Sequence, residues 1–374
     1  MAKISFSGSS SFNLHVSVTY PFVGGLLLCA AVTLNAWYKG KRTHLAKALY
    51  DIIEVDRRNL NYSLSIIAGL LLATGIGLEK YGYGFNGDTY LFESRETFNS
   101  GLDLLGWLFA GLCVGLGTKL ACGDEISDGV CGISRYNKRS MFTIGAALAS
   151  GLIFGTIRDN FPFFVEQNSY DFSYDFSFNT DWLGSSSDWP VHFALICTAV
   201  LVAILVISNP SRNELRDIFV HIGIGFLFGW GLLISGITRR STNLAFFILG
   251  ESWDPALGVT LGTATLGCLI TFWLLLTKAR GPYAGDSFDE FKDPNVFDLK
   301  TLLGAIIFGI GWSTGGLSPS VALSLFPYYI PQALLMFIPS LIVGQLVGNH
   351  INKKWQHPPG IQLSVDNEKH IQLV

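Results

Sequence analysis

Residues 309–326 read Gly-Ile-Gly-Trp-Ser-Thr-Gly-Gly-Leu-Ser-Pro-Ser-Val-Ala-Leu-Ser-Leu-Phe. They close one apolar run, 300–316, and supply a short apolar piece, Ser320–Phe326, before a second long run at 329–348. A membrane-crossing helix needs about 20 apolar residues, within a range of roughly 17–25. The two long runs meet that length and the short piece does not. A segment that enters the apolar layer without crossing it has to turn back. Non-helical backbone survives at that depth only when buried in protein or lining a cavity. The stretch therefore predicts a unit of span, short re-entrant helix and span.

The same pattern recurs. Gly115–Gly123 (GLGTKLACG) precedes a short segment at 127–134, and Gly229–Gly236 (GWGLLISG) precedes Asn243–Gly250. A weaker copy begins at Gly24-Gly25, with His44–Ile53 as its short piece, which carries Lys47 and Asp51. Any single G-x-G has a bland reading, since small residues let membrane helices pack closely. Three in register with the same following geometry point to a functional repeat. Two units occupy 18–157 and two occupy 217–348, with one odd span, 189–207, between them. An odd connecting span inverts everything after it. The expected fold is all-α: a polytopic membrane protein of about nine spans with short re-entrant helices in an inverted repeat, forming one integral membrane domain over 1–374. Transporters built from such repeats place their sites near the midplane at broken helices.

Composition agrees. The chain is 49% apolar and 14% charged, where soluble domains are about one quarter charged. Apolar runs lie at 18–38, 60–78, 102–120, 140–157, 189–207, 217–236, 255–277, 300–316 and 329–348. A net charge of −3 offers no basic surface for a phosphate backbone, which excludes nucleic acid as a partner. No cleavable leader is evident, so the first run reads as a retained span. For nine crossings, Lys and Arg number 17 on one side and 6 on the other, leaving aside Lys119 and Lys300. The positive-inside rule then places the N-terminus outside and the tail 349–374 in the cytoplasm of a cell-membrane protein. The polar loop 158–188 falls outside. No catalytic triad, P-loop, cofactor motif or metal-ligand spacing stands out, so an enzyme is not expected. Cys29, Cys113, Cys197 and Cys268 sit in apolar runs as small hydrophobes, and Cys122 and Cys131 lack C-x-x-C spacing.

At its motifs the sequence resembles the YeeE/YedE sulfur-transport family, whose characterised members take up thiosulfate. Gly117–Arg135 (GTKLACGDEISDGVCGISR) is similar, without a gap, to the family's G-x-R-L-x-x-G-C-T-S-G-H-G-x-C-G-L-S-R. Phe228–Ile237 (FGWGLLISGI), Trp253–Leu257 (WDPAL) and Phe308–Ala322 (FGIGWSTGGLSPSVA) resemble later motifs. The resemblance implies nine spans whose short re-entrant helices pinch an hourglass, with cysteines at the constriction. Here Asp124, Glu125 and Asp128 stand at the family's Cys, Thr and His positions, and Ser318 and Ser320 replace its second-half Cys and Gly. Cys131 alone keeps its place, so the resemblance carries the fold further than the thiosulfate specificity.

The expected function is a transporter or channel for a small sulfur-containing inorganic anion such as thiosulfate. The candidate path runs through Lys119, Asp124, Cys131 and Ser318 and the motif glycines Gly117, Gly123, Gly231, Gly236, Gly311 and Gly316, with Arg239 and Arg240 gathering anions at the outer mouth. Each residue also has a plainer reading. Lys119 can snorkel to the interface, the acidic cluster can be a solvated loop or pair with Lys119 or Arg135, and Ser318 can cap the helix after Pro319. If Asp124 stands alone, it should bind a proton as the anion passes. The alternatives are a membrane-embedded thiol- or sulfur-handling enzyme built on Cys131, or a transporter-derived protein for another small ion. Expected partners are the anion and the bilayer. A homo-oligomer and a soluble sulfur carrier stay open.

Overall fold

The structure is a computed structural model that describes residues 19–56, 59–81, 93, 98, 101–161, 164, 212–250, 253–279, 281–285, 287–288, 298–328 and 332–356. Its helices are α1 (Thr19–Lys39), α2 (Leu45–Ile53), α3 (Leu60–Tyr81), α4 (Leu104–Ala121), α5 (Lys138–Asn160), α6 (Arg212–Ser235), α7 (Arg240–Phe246), α8 (Ala256–Lys278), α9 (Leu299–Gly315), α10 (Pro319–Ser324) and α11 (Ile338–Gln356). A π-helical turn, Glu125–Val130, and a 3₁₀ turn, Ile133–Arg135, lie between α4 and α5, and a second π turn, Gln332–Phe337, leads into α11. The chain is an all-α polytopic membrane protein. Among the described residues, seven helices are long and apolar enough to cross a bilayer, and α9 is a shorter apolar helix. The expected span 189–207 lies outside the described residues, as does most of the loop 158–188. Helix α5 continues to Asn160, so Arg158 belongs to that helix rather than to the loop.

Local chemistry sets the helix starts. Asp103 accepts from Gly106 N at 2.7 Å, Asn137 from Ser140 N at 3.3 Å and Asp298 from Thr301 N at 2.8 Å. Each side chain satisfies one donor that has no partner inside the helix. The long helices carry large exposed apolar residues on their outer faces, including Leu105, Phe142, Ile153, Leu266, Ile270 and Trp273. That is the surface hydrocarbon requires and water penalises.

The units interlock in two equivalent pairs. Helix α1 packs on α6 and α8, and α3 on α6; α4 packs on α9 and α11, and α5 on α9. Contact order along the chain gives the directions. Gly24 meets Ser235 while Gly231 meets Leu28, so α1 and α6 are antiparallel. Gly304 meets Ala121 while Gly311 meets Cys113, so α4 and α9 are antiparallel too. The third helix of each unit runs parallel to the first helix of its partner unit, as Ile66 beside Gly225 and Ala73 beside Gly229 show for α3 and α6. Leu28, Leu70 and Phe228 fill the core of the first pair, and Trp107, Trp312 and Phe337 that of the second.

Close approach explains several motif glycines. A Cβ on Gly117 would lie 2.4 Å from Phe308 N, one on Gly231 2.9 Å from two Leu28 side-chain atoms, and one on Gly311 2.7 Å from Cys113 Cβ. The motif thus places backbone against backbone or side-chain stem where first helices cross.

Candidate functional site

The four short segments start at His44, Asp124, Arg239 and Ser318, and they bring polar groups into the protein interior. Asp124 caps the π turn with a reciprocal pair: Ser127 N donates to Asp124 Oδ1 at 2.8 Å, and Asp124 N donates to Ser127 Oγ at 2.8 Å. The second carboxylate oxygen reaches the first unit. Ala46 N, in the first turn of α2, donates to Asp124 Oδ2 at 3.2 Å, and His44 Nε2 lies 3.5 Å from the same oxygen. Asp124 is therefore neither solvated nor paired with Lys119. It ties the start of the second short segment to the start of the first.

Glu125, the next residue, points the other way. Its Oε1 accepts from Ser320 Oγ, whose hydroxyl lies 2.9 Å from that of Ser318. Ser318 also caps α10, accepting from Val321 N at 3.4 Å. All three side chains are buried. This chain of hydrogen bonds joins the short segment of the second unit to that of the fourth, across the two halves of the chain. Oε2 of Glu125 is buried with no hydrogen-bond partner among the described residues. Buried polar atoms are nearly always satisfied, so an orphaned carboxyl oxygen in such a place calls for an explanation. Sequence reading found Asp124 and Ser318. The contact between halves is made by their neighbours, Glu125 and Ser320.

Asp128 accepts from Ser140 Oγ at 2.9 Å, and its carboxylate occupies the space a Cβ on Gly123 would need. Cys131 is fully buried at the end of the π turn, where its carbonyl accepts from Arg135 Nε at 2.9 Å. Lys119 swings away from the acidic cluster, and its Nζ sits 3.2 Å above the centroid of the Tyr50 ring. Gly236 and Gly316 hold left-handed backbone at φ 76° and 68°, a region costly for other residues. Gly316 there ends α9, donating to Trp312 O at 2.8 Å.

Arg240 lies inside the protein rather than at its surface. It is 2% exposed, with Nε donating to Gly315 O at 2.9 Å and Nη1 to Phe98 O at 2.7 Å, and its guanidinium lies 4.9 Å from the Trp107 ring centre. Its own amide and that of Ser241 donate to Glu93. Carbonyls distant in sequence converge on the guanidinium fork and draw it inside. Arg239 stands just before α7 without a side-chain hydrogen bond to it and is half-buried, with Nε unpartnered among the described residues.

A cleft of about 110 Å³ opens beside the start of α2, lined in part by Lys41, Arg42, His44, Lys47 and Asp51. Lys41 Nζ is held there by Asn59 Oδ1 at 2.7 Å and lies 4.6 Å from the Tyr62 ring centre. The cleft thus leads from a cationic surface towards the His44–Asp124 contact. In sequence the charges around α2 make it the weakest copy of the repeat, and His44 carries no motif that singles it out.

Comparison with known proteins places relatives beside this geometry. Residues 216–357, from α6 through α11, match a family of unknown function, DUF6691. Two proteins described as "Probable transporter", from Xylella fastidiosa strains Temecula1 and 9a5c, are each 28% identical over 133 residues. The match spans 35% of this chain and 88% or 89% of those relatives, which are much shorter proteins. Another "Probable transporter" of strain Temecula1 is 25% identical over 139 residues, 92% of its length. The chain is thus an integral membrane protein with a second half similar to a family of unknown function and a stretch similar to shorter proteins described as probable transporters.

Proposed function

We propose that the protein is a membrane transporter for a small inorganic anion, thiosulfate being the first candidate, and that the anion passes the junction of Glu125 with Ser318 and Ser320. The observation that carries this reading is the Glu125–Ser320 hydrogen bond, which joins short segments from opposite halves of the chain in its interior. The antiparallel pairing of first helices, α1 with α6 and α4 with α9, supports an inverted repeat with one further crossing between the halves. The probable-transporter relatives support the same class. On this reading the α2 end, with its cationic cleft, faces the cytoplasm of a cell-membrane protein, and the loop 158–188 faces outside.

The chemistry of the junction differs from a thiol-lined one. Hydroxyls of Ser318 and Ser320 can donate to an oxyanion once they are released from Glu125. A carboxylate in the same place opposes the anion. Two unit charges 4 Å apart repel by about 4 kcal/mol at an effective dielectric near 20, enough to slow passage about 10³-fold. The junction therefore works as a gate as well as a path.

The test is uptake of labelled thiosulfate, sulfate and sulfite by purified protein in liposomes. The reading predicts saturable uptake of at least one of them, reduced by Ser320→Ala and abolished by Ser320→Trp in protein that remains folded. Absence of uptake for all three in folded wild-type protein refutes it.

A further inference from the structure

The geometry points to Glu125 as the carrier of a coupling proton: we infer that it accepts one proton when the gate opens to one side and releases it to the other, so that anion and proton move together. This inference rests on the transporter reading. Three observations support it.

The first is burial without a counter-charge. Glu125 is 3% exposed, and its carboxyl is held by neutral serine hydroxyls, those of Ser320 and Ser318. No cation forms an ion pair with it among those residues. Carboxyl groups at membrane depth are rare and ordinarily mark ion or proton paths. The second is the unpartnered Oε2. A carboxyl with one oxygen held and the other free has a site ready for a proton or for a ligand's donor. The third is position. Glu125 alone among the buried acids of its segment bridges the two halves. Asp124 is occupied by Ser127 N and Ala46 N, and Asp128 by Ser140. Any motion that separates the π turn from α10 must break the Glu125–Ser320 bond and expose the carboxyl to the opening side.

The ionisable groups facing Glu125 are few. Asp124 and Asp128 lie on its own turn, with Cys131 at that turn's end. His44 on α2 stands beyond Asp124. Helix α5 contributes Arg139, which is engaged through Nη2 with Ala121 O at 2.7 Å. Helix α8, packed on the π turn, contributes Cys268 as its ionisable side chain within the membrane. Asp124 beside it places a second carboxyl at the junction, and the protonated form of Glu125 is the one that lets an anion by. The balance is simple: one proton joins the carboxylate on the entry side, the neutral acid admits the anion, and the proton leaves to the exit side.

Two measurements test this together. Difference infrared spectroscopy of detergent-purified protein, titrated across about pH 5–8, should show a carboxylic-acid C=O band that is absent in Glu125→Gln and kept in Asp124→Asn. Liposomes holding a pH-sensitive dye should acidify inside as labelled thiosulfate enters. Wild-type uptake should fall by up to about tenfold per pH unit as pH rises above the Glu125 titration. Glu125→Asp should keep a titrating profile, and Glu125→Gln should give uptake that is flat with pH. Thiosulfate uptake without acidification, with a flat wild-type profile, overturns the proton role and leaves the transporter reading standing. Uptake that follows Na⁺ in place of protons overturns it in favour of a sodium site. No uptake of any sulfur oxyanion removes both readings, and a titrating Glu125 band in that case marks a proton site without transport.

Discussion

Replacing Gly117 by Ala tests whether the repeated glycines exist for helix contact. The added Cβ would stand 2.4 Å from Phe308 N and 2.6 Å from Phe308 Cα. Ordinary contact begins near 3.5 Å, so α4 and α9 must part by about 1 Å. The atoms in the way are backbone and cannot rotate aside. Overpacking of this kind costs typically 1–3 kcal/mol, against which Ala regains about 0.8–1.0 kcal/mol as a better helix former. The net is a loss of about 1 kcal/mol. Gly262→Ala in α8 is the control, because no heavy atom lies within 4 Å of its Cβ position. It should gain up to about 1 kcal/mol. The two variants should therefore differ by about 2 kcal/mol, read as a lower melting temperature for Gly117→Ala in detergent. Because α4 leads directly into Asp124 and Glu125, displacing it should also lower thiosulfate uptake. If Gly117→Ala melts at or above Gly262→Ala, the close-approach argument is wrong.

Arg240→Gln should destabilise the protein by about 3–5 kcal/mol, the range for removing one partner of a buried charge arrangement, because Gly315 O and Phe98 O lose their donors; unchanged melting with weaker anion uptake would return Arg240 to an anion-gathering role. Tyr50→Leu, which removes the ring beneath Lys119, should cost about 0.5–1 kcal/mol and leave uptake intact; a loss of uptake at unchanged stability would place Lys119 in the path. In a cysteine-free background, Cys at Ser186 should react with an impermeant thiol reagent from outside and Cys at Gln372 should not. Labelling of both from one side would remove the inverted topology.

The spans among the described residues were legible because apolar length alone dictates them. The run 255–277 folds as Ala256–Lys278, and 102–120 as Leu104–Ala121. The short segments were legible in place but less so in form. His44–Ile53 looked doubtful for its charges, yet it folds as α2 with Lys47 exposed and Asp51 turned to the cleft. An α-helix would put Asp124 and Asp128, four residues apart, on one face, but the segment is a π turn whose cap is Asp124 itself. That register sends Asp124 to Ala46, Asp128 to Ser140 and Glu125 to Ser320. No 3.6-residue pattern encodes such a fan of directions. Arg240 was illegible for another reason: the groups that bury it, at Glu93, Phe98 and Gly315, are far away along the chain.

The central claim is that the anion path runs through the Glu125–Ser318–Ser320 junction. Ser318→Cys, in a background otherwise free of cysteine, can be treated with a small anionic methanethiosulfonate while labelled thiosulfate uptake into liposomes is followed. Modification should block uptake, and excess thiosulfate should slow the modification. A fully modified Ser318→Cys protein that takes up thiosulfate at its unmodified rate would contradict the account.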